Sequence, residues 1–327
     1  MKSVNTVLGP ISTGELGITL MHEHVAAGNN DWRIDESRYP FNKDKALSVA
    51  LSVAKDLRAC DVSTFVDATP IDNGRNAALL EEVSRKSEIN IVCSTGLYTE
   101  QNGGSFYFRY LSNFLDGVKE IYDLFTKEIT HGIAGTSVKA GVMKIATGFG
   151  KISPYEEMVL KAAARAQEST GVPIITHTEA GTMGPEQADL LISEGARPTS
   201  IMIGHAGGCD SLDYHVDTLS RGVFIGFDRL GLDSKVWKAG PDHVRLTCIS
   251  GLVALGYGDR ILFGHDYVMN WLGRDGRSLL PKEEVKNWYP THLFKNIIPE
   301  LKKHGVTDEQ IHAMLVENPR RLFEGSD

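Results

Sequence analysis

Two histidines separated by one residue lie near the start of the chain. Residues 20–25 read LMHEHV, which places His22 and His24 two positions apart in a short apolar run. In a β-strand such residues point to the same face, as two ligands of one metal must. Imidazole is a good ligand for zinc, cobalt, iron or manganese at such sites. A lone histidine in such a run is more often a hydrogen-bonded core residue, so the interpretation depends on further donors.

Further donors follow later apolar runs, at or near their ends. They are His177, His205 and Asp266, and the carboxylate would complete a mixed nitrogen and oxygen shell. Four histidines at matching positions favour a metal site over four separate structural histidines.

Lys144 also belongs to one of these runs, although an ammonium group is repelled by divalent cations and is costly to bury. It fits such a site only as a carbamate formed with CO₂, whose two oxygens can bridge two metals. The alternative is a surface or salt-bridged lysine.

The elements that position these residues repeat along the whole chain. Eight short apolar runs alternate with segments of helical periodicity, and their apolar residues are continuous, as in parallel strands covered on both faces. We predict a single-domain (β/α)₈ barrel over residues 1–327, in which strand ends converge on one mouth. An open doubly wound sheet is the alternative, but no G-x-G-x-x-G follows the first strand. The eight runs are 17–25, 63–69, 90–96, 140–148, 172–178, 200–206, 222–228 and 260–266.

The C-terminal part is predicted to hold a long loop over 267–290, then a helix around residues 291–305. A last helix should begin with a capping box of Thr307 and Gln310.

Composition narrows the class of protein. The chain has 327 residues, 42% of them hydrophobic, and a formal net charge of −8, which argues against nucleic-acid or anionic-membrane partners. Four scattered cysteines form no C-x-x-C pair and favour a reducing cytoplasm. Neither a signal-peptide core nor an apolar stretch of about 20 residues is present. We expect a cytoplasmic enzyme with a small-molecule substrate.

With these residues identified, the chain resembles the phosphotriesterase family of the amidohydrolase superfamily, and within it the phosphotriesterase-like lactonases. The resemblance covers essentially the whole chain. It rests on NTVLGPISTGELGITLMHEHV, TGLY, HGIAGTSVKAGVMKIAT, PIITHT, IGHAG, IGFDRLGLD, GHDY and IPELKKHGVTDEQIHAMLVENPRRLF.

The resemblance implies a centre of two divalent metals, most often zinc, with cobalt, manganese or iron as alternatives. The residues matching His22, His24 and Asp266 bind the buried metal, and those matching His177 and His205 bind the exposed one. The residue matching Lys144 is carboxylated and bridges both, as does a hydroxide. The residues matching Tyr98 and Arg229 shape the substrate side, although Tyr98 can also pack at the rim and Arg229 can pair with Asp233. The family also implies a homodimer.

Departures from the family pattern affect the substrate more than the metals. Glu179 stands where relatives often have His or Asn, and Gly208 stands where Asp is common. The sequence of the 267–290 loop does not follow the family pattern. The loops after the last two strands carry five large apolar residues: Trp237, Met269, Trp271, Leu272 and Trp288. These side chains can line an apolar pocket for an acyl chain, or they can pack in the core or form an interface. Nearby cations can instead favour an anionic substrate: Arg274, Arg277 and Lys282.

The expected reaction is metal-assisted hydrolysis, with Asp266 accepting a proton from the nucleophile. Three functions remain open. The first is a lactonase acting on acyl-homoserine or other γ/δ-lactones, with promiscuous phosphotriesterase activity. The second is a hydrolase of phosphotriester, amide or other ester bonds with the same centre. The third is a non-catalytic metal-binding barrel, which a missing ligand would mark.

Overall fold

Eleven strands form two sheets in the computed structural model, which describes residues 2–326. The first two strands pair as an antiparallel hairpin, and the other nine form one parallel sheet. The strands are β1 Ser3–Thr6, β2 Gly9–Ser12, β3 Ile18–Ala27, β4 Val62–Asp67, β5 Asn90–Gly96, β6 Val142–Thr147, β7 Ile174–Thr178, β8 Ile201–Ile203, β9 Phe224–Phe227, β10 Ile261–Phe263 and β11 Tyr267–Trp271.

Helices follow the strands along the chain. The α-helices are α1 Lys43–Arg58, α2 Ala77–Ser87, α3 Phe106–Leu111, α4 Gly117–Thr130, α5 Pro154–Thr170, α6 Gly184–Ser193, α7 Leu212–Leu219, α8 Asp242–Ala254, α9 Lys282–Val285, α10 Ile298–Lys303, α11 Asp308–His312 and α12 Asn318–Glu324. Two π-helical segments span Leu293–Ile297 and Ala313–Glu317. Short 3₁₀ turns span Thr13–Glu15, Trp32–Asp35, Ile71–Asn73, Glu179–Gly181, Pro198–Ser200, Ala206–Gly208, Gly258–Arg260 and Gly276–Leu279.

The nine-stranded sheet closes into a barrel. Neighbouring strands follow chain order from β3 to β10, and β11 pairs with the other edge of β3. Between β10 and β11, the backbone N–H of Asp266 donates to His22 O at 2.9 Å. The last barrel strand therefore consists of β10 and β11 together, and the predicted (β/α)₈ barrel is confirmed.

Two apolar layers explain why the strand sequences are apolar without alternation. Inside the barrel, each strand from β3 to β10 contributes buried side chains to one cluster. Outside, the opposite faces of the same strands pack against the helices. The interior cluster includes Met21, Val66, Val92, Val142, Ile175, Met202, Phe224 and Leu262.

The bottom of the barrel is closed by the two ends of the chain. Val4 from β1 and Phe323 from α12 join the interior cluster. The predicted capping box is present, because Thr307 and Gln310 bond reciprocally at the start of α11. The hairpin of β1 and β2 was not part of the sequence prediction.

The prediction of a continuous loop over 267–290 is wrong at its start. Residues Tyr267–Trp271 form β11, which pairs in register with the upper half of β3, from Glu23 to Ala27. The ten-residue β3 extends beyond its neighbours, so its upper half offers backbone groups that β11 satisfies. This pairing is a tertiary contact and leaves little trace in the local pattern.

Candidate metal centre

The candidate site continues the interior layer of the barrel by one step towards its mouth. Lys144 and His177 stand two residues beyond the interior residues Val142 and Ile175, so strand alternation turns them inwards. Asp266 stands four residues beyond Leu262, with Gly264 between them. The predicted ligands therefore gather above the apolar floor of the barrel.

Four histidine rings lie against one another at this level. The ring centroids of His22 and His24 are 5.2 Å apart, those of His22 and His205 are 4.8 Å apart, and those of His205 and His177 are 4.6 Å apart. All four side chains are buried. Burial lowers the pKa of His22 and of His177 to about 4, which keeps these imidazoles in the neutral form that binds metals.

Asp266 is the carboxylate that three of the four histidines face. Its Oδ1 lies 2.9 Å from His24 Nε2 and 3.4 Å from His22 Nε2, and its Oδ2 lies 3.8 Å from His205 Nε2. One donor atom each from His22, His205 and Asp266 lies within 4.8 Å of the others, a spacing that suits a shared cation. Asp266 has a left-handed backbone, with φ of 54°.

Asp228, to which the sequence analysis gave no role, orients two of these rings. Its fully buried carboxylate accepts from His22 Nδ1 at 2.7 Å and from His205 Nδ1 at 2.9 Å, as well as from His205 N at 2.8 Å. Burial raises the pKa of Asp228, but the two histidines hold it well below its usual range. An ionised carboxylate only accepts, so both Nε2 lone pairs are left facing Asp266.

Neighbouring residues hold His24 and Glu23, which belong to the strand that carries the first two predicted ligands. His24 Nδ1 lies 2.8 Å from Thr69 Oγ1, which orients the third ring. Glu23, between the two histidines, is fully buried and accepts from His265 Nδ1 at 2.8 Å and from Tyr267 N at 3.1 Å. Glu23 and His265 thus form a clamp behind Asp266, away from the cavity.

Lys144 is buried beside His22. Its Nζ donates to Thr176 O at 3.0 Å and lies 3.4 Å from His22 Nε2, and no described carboxylate lies within 4.0 Å of it. Burial lowers the pKa of Lys144 to about 8, while Asp228 and Asp266 oppose that shift. The alternative of a surface or salt-bridged lysine is therefore wrong.

Tyr98 and Arg229 both contact the predicted ligands. Tyr98 OH lies 3.2 Å from His177 Nδ1, and Arg229 Nε donates to Asp266 Oδ2 at 2.8 Å. The alternative pairing of Arg229 with Asp233 is wrong, because its other bond goes to Trp237 O at 3.3 Å. Burial raises the pKa of the Tyr98 hydroxyl, which stays protonated and able to donate.

A cavity of about 680 Å³ opens above these residues. Its walls include all four tryptophans of the chain, among them Trp32, which the sequence analysis did not single out. Trp237 packs on Trp271 with centroids 5.6 Å apart and on Trp288 with centroids 5.5 Å apart. Leu272 also lines the cavity, whereas Met269 is buried in the outer core, so its assignment to the pocket wall is wrong.

Of the three cations suggested for an anionic substrate, only Arg274 lines this cavity. Arg274 lies on its rim, with Nε 3.6 Å from Asp35 Oδ2. Arg277 donates to Tyr267 OH instead, and neither Arg277 nor Lys282 lines the cavity. The cavity wall is therefore mainly aromatic and aliphatic beyond the candidate ligands.

The donor set fits two divalent cations. Four imidazoles, a carboxylate and a buried amine converge at the floor of one cavity. Hydrogen bonds from Nδ1 to Asp228 leave the Nε2 atoms of His22 and His205 able to coordinate, and His24 Nε2 already lies 2.9 Å from Asp266 Oδ1. The Nε2 atoms of His22, His24 and His205 all face Asp266, as ligands of shared cations would.

The model of the phosphotriesterase family matches residues 2–323, and the chain belongs to this family. It is 38% identical over 331 residues to a phosphotriesterase homology protein of Mycobacterium tuberculosis, covering 99% of this chain and 98% of the relative. It is 36% identical over 316 residues to an aryldialkylphosphatase of Saccharolobus solfataricus, covering 96% of each.

A solved structure of a mutant PTE-like lactonase from Deinococcus radiodurans superposes with a TM-score of 0.94 at 43% identity, covering 98% of this chain and 99% of that one. The family is one of binuclear metal enzymes, and the chain is a hydrolase of this class. Among residues 2–326, no helix combines the length and apolar character needed to cross a membrane.

Proposed function

We propose that the chain is a lactonase with a binuclear metal centre at the mouth of a single-domain barrel. His22, His24 and Asp266 would hold the buried cation, and His177 and His205 the exposed one, with Lys144 bridging as a carbamate. The observation that carries the proposal is the convergence of these six side chains on one cavity floor.

Carboxylation of Lys144 is supported by its surroundings. Its amine is buried next to His22 and has no described carboxylate to pair with, so a cationic lysine beside two metal ions would be strongly disfavoured. A carbamate would replace that positive charge with two anionic oxygens. We propose zinc as the metal, because imidazole and carboxylate donors suit it, with cobalt, manganese and iron as alternatives.

When bound, the two cations would lower the pKa of a shared water and polarise the substrate oxygen. Asp266 would take the proton of the attacking water and pass it to the leaving alkoxide, which for a lactone gives the hydroxy acid. Arg229 holds the second oxygen of Asp266, which keeps that carboxylate ionised and oriented. Tyr98 OH, beside His177, would donate to the substrate from the cavity side.

The lactone assignment draws on the cavity and on the named relatives. Trp271, Trp237 and Leu272 form an apolar wall suited to the acyl chain of an acyl-homoserine lactone or of another γ/δ-lactone. The relative named aryldialkylphosphatase supports phosphotriester hydrolysis as the second candidate, because the same centre can act on either electrophile.

A substrate panel tests this assignment. Protein loaded with Zn²⁺ or Co²⁺ should open lactone rings with a far higher kcat/KM than it shows for dialkyl aryl phosphates or N-acyl amides. Replacing Trp271 with Ala should raise KM for long-chain lactones more than for short-chain ones. A loaded protein that is inert towards every lactone and active on phosphotriesters or amides would reject the lactonase assignment.

Lys144→Ala tests the bridging role directly. The variant should lose tight binding of the second cation, so that metal content falls from two ions per chain to one or fewer. Lys144→Glu, which restores an anionic side chain, should recover part of that content. Two tightly held ions in the alanine variant would rule out the bridge.

We also propose a cytoplasmic homodimer. Five large apolar side chains are more than half exposed within ten residues of one another, along α3 and the turn after it: Phe106, Tyr107, Tyr110, Phe114 and Leu115. Such a ridge marks a contact surface, and a two-fold axis would let it bury itself against its own copy. Light scattering should give a dimer for the wild type and a monomer for a variant with Asp at Phe106 and Phe114.

A further inference from the structure

We propose that Glu179 is the positioning residue of His177, selecting the ring nitrogen that faces the exposed cation. This inference rests on the proposed metal-binding role of His177. Glu179 Oε2 lies 3.1 Å from His177 Nε2 on one side of the ring. Tyr98 OH lies 3.2 Å from Nδ1 on the other side.

The chemistry of the two groups fixes the direction of the hydrogen bond. A neutral imidazole carries one N–H and one lone pair, whereas an ionised carboxylate only accepts. The contact with Glu179 therefore places the proton on Nε2 and leaves the lone pair on Nδ1. His177 would then bind through Nδ1, while His22 and His205, whose Nδ1 atoms donate to Asp228, would bind through Nε2.

Among the described residues, Glu179 is the one carboxylate in contact with the His177 ring, whose other partner is the hydroxyl of Tyr98. Asp228 orients His22 and His205, and Thr69 orients His24, all from within the buried base of the site. Glu179 instead stands at the end of β7 and also lines the cavity. Loss of its carboxylate would leave Tyr98 OH as the hydrogen-bond partner of the His177 ring among the described side chains.

The turn after β7 holds Glu179 in place. Ala180 has a left-handed backbone, with φ of 54°, which bends the chain back directly after the carboxylate. Thr182 then closes the turn, because its N–H and its hydroxyl both donate to Glu179 O, at 3.1 and 2.8 Å. Two hydrogen bonds from Thr182 thus hold the carbonyl of Glu179 in this turn.

The neighbouring departure from the family pattern belongs to the same arrangement. A Cβ atom on Gly208 would lie 2.7 Å from Gly181 N and 2.9 Å from Ala180 C, so the loop after β8 can approach this turn only as glycine. A carboxylate at position 208 would displace the turn that carries Glu179. The chain therefore combines glycine at 208 with a carboxylate at 179.

The tautomer of His177 can be measured in metal-free protein. In a ¹⁵N-histidine sample, long-range ¹⁵N–¹H correlation distinguishes protonated from unprotonated ring nitrogens, and the His177→Asn spectrum assigns the signal. We expect protonated Nε2 and unprotonated Nδ1 in the wild type. A wild-type spectrum that shows protonated Nδ1 would by itself overturn the proposal.

Glu179→Met keeps the volume and removes the acceptor. It should weaken the preference for protonated Nε2, because only Tyr98 OH would then remain at the ring, and should raise the Kd of the more weakly held Co²⁺ ion about 10- to 100-fold. Glu179→Gln keeps an acceptor oxygen and should retain protonated Nε2. Asp35→Asn removes a carboxylate from the same cavity without touching a histidine, and should change neither tautomer nor Co²⁺ affinity.

An unchanged tautomer together with unchanged Co²⁺ affinity in Glu179→Met would refute the positioning role. Both readings are made without substrate. If the protein proved not to be a lactonase, the tautomer and Co²⁺ measurements would therefore still be valid. If Glu179 proved not to position His177, the result of the substrate panel would not change.

Discussion

Asp228→Asn tests whether one buried carboxylate sets the nitrogen donors of two ligands. The asparagine oxygen can still accept from His205, whose ring and backbone N–H groups share one oxygen of Asp228. The amide NH₂ then faces His22 Nδ1, which lies 2.7 Å from Asp228 Oδ2 in the wild type. The N–H of His22 would therefore meet a second donor instead of an acceptor. His22 must lose this bond or move its proton to Nε2, the atom that should bind the cation.

The expected effects follow from that conflict. A lost bond at a fully buried site costs about 1–3 kcal/mol of unfolding free energy, and a misplaced proton lowers metal affinity about 10- to 100-fold. Urea unfolding of metal-free protein and Co²⁺ titration measure the two effects separately. Glu128→Gln is the matched control, because it alters the buried pair with Arg75 and should reduce stability without changing Co²⁺ affinity. Wild-type Co²⁺ affinity in Asp228→Asn would refute the reasoning.

Three further changes have defined outcomes. Gly208→Asp should destabilise the fold by about 1–3 kcal/mol in urea unfolding, because its Cβ meets the backbone of Ala180; unchanged stability would contradict the close approach. Glu23→Ala should cost about 3–5 kcal/mol by the same assay, since it removes the acceptor of His265 Nδ1 and of Tyr267 N–H and leaves His265 N–H with only its longer bond to His22 O, and a loss below 1 kcal/mol would argue against the clamp. Burial raises the pKa of Asp72 from 3.8 to about 6, so its contribution to stability is present at low pH and is lost as the pH rises from about 4 through 6. Asp72→Asn should therefore be more stable than the wild type at pH 7.5 by about 1–2 kcal/mol, with the difference shrinking towards pH 4; an equal difference at both pH values would contradict this.

The barrel and the clustering of the candidate ligands could be predicted because both depend on local patterns. A strand covered on both faces is apolar throughout, so a polar residue at its end stands out, as His177 and Asp266 do. Strand alternation then places those side chains on the interior face. The same rule could have found Asp228, which ends the predicted run 222–228.

Other features depend on contacts between distant segments. The role of Asp228 follows from facing two Nδ1 atoms, one of them 206 positions away in the chain. Strand β11 pairs with the backbone groups of β3 that extend beyond its neighbours. Trp32 reaches the cavity because of the path of an irregular loop. The contact between Glu179 and His177 is local in sequence, but Glu179 lies in a turn whose left-handed residue is Ala180, and an alanine does not signal such a turn.

The most direct test of the binuclear centre is a crystal structure of zinc-loaded protein, with anomalous scattering recorded at the zinc edge. We predict two peaks about 3.5–4 Å apart at the cavity floor. One should lie among His22, His24 and Asp266, the other beside His177 and His205, with carbamate density on Lys144 between them. A single peak, or a bare amine on Lys144 between two peaks, would contradict the proposed centre.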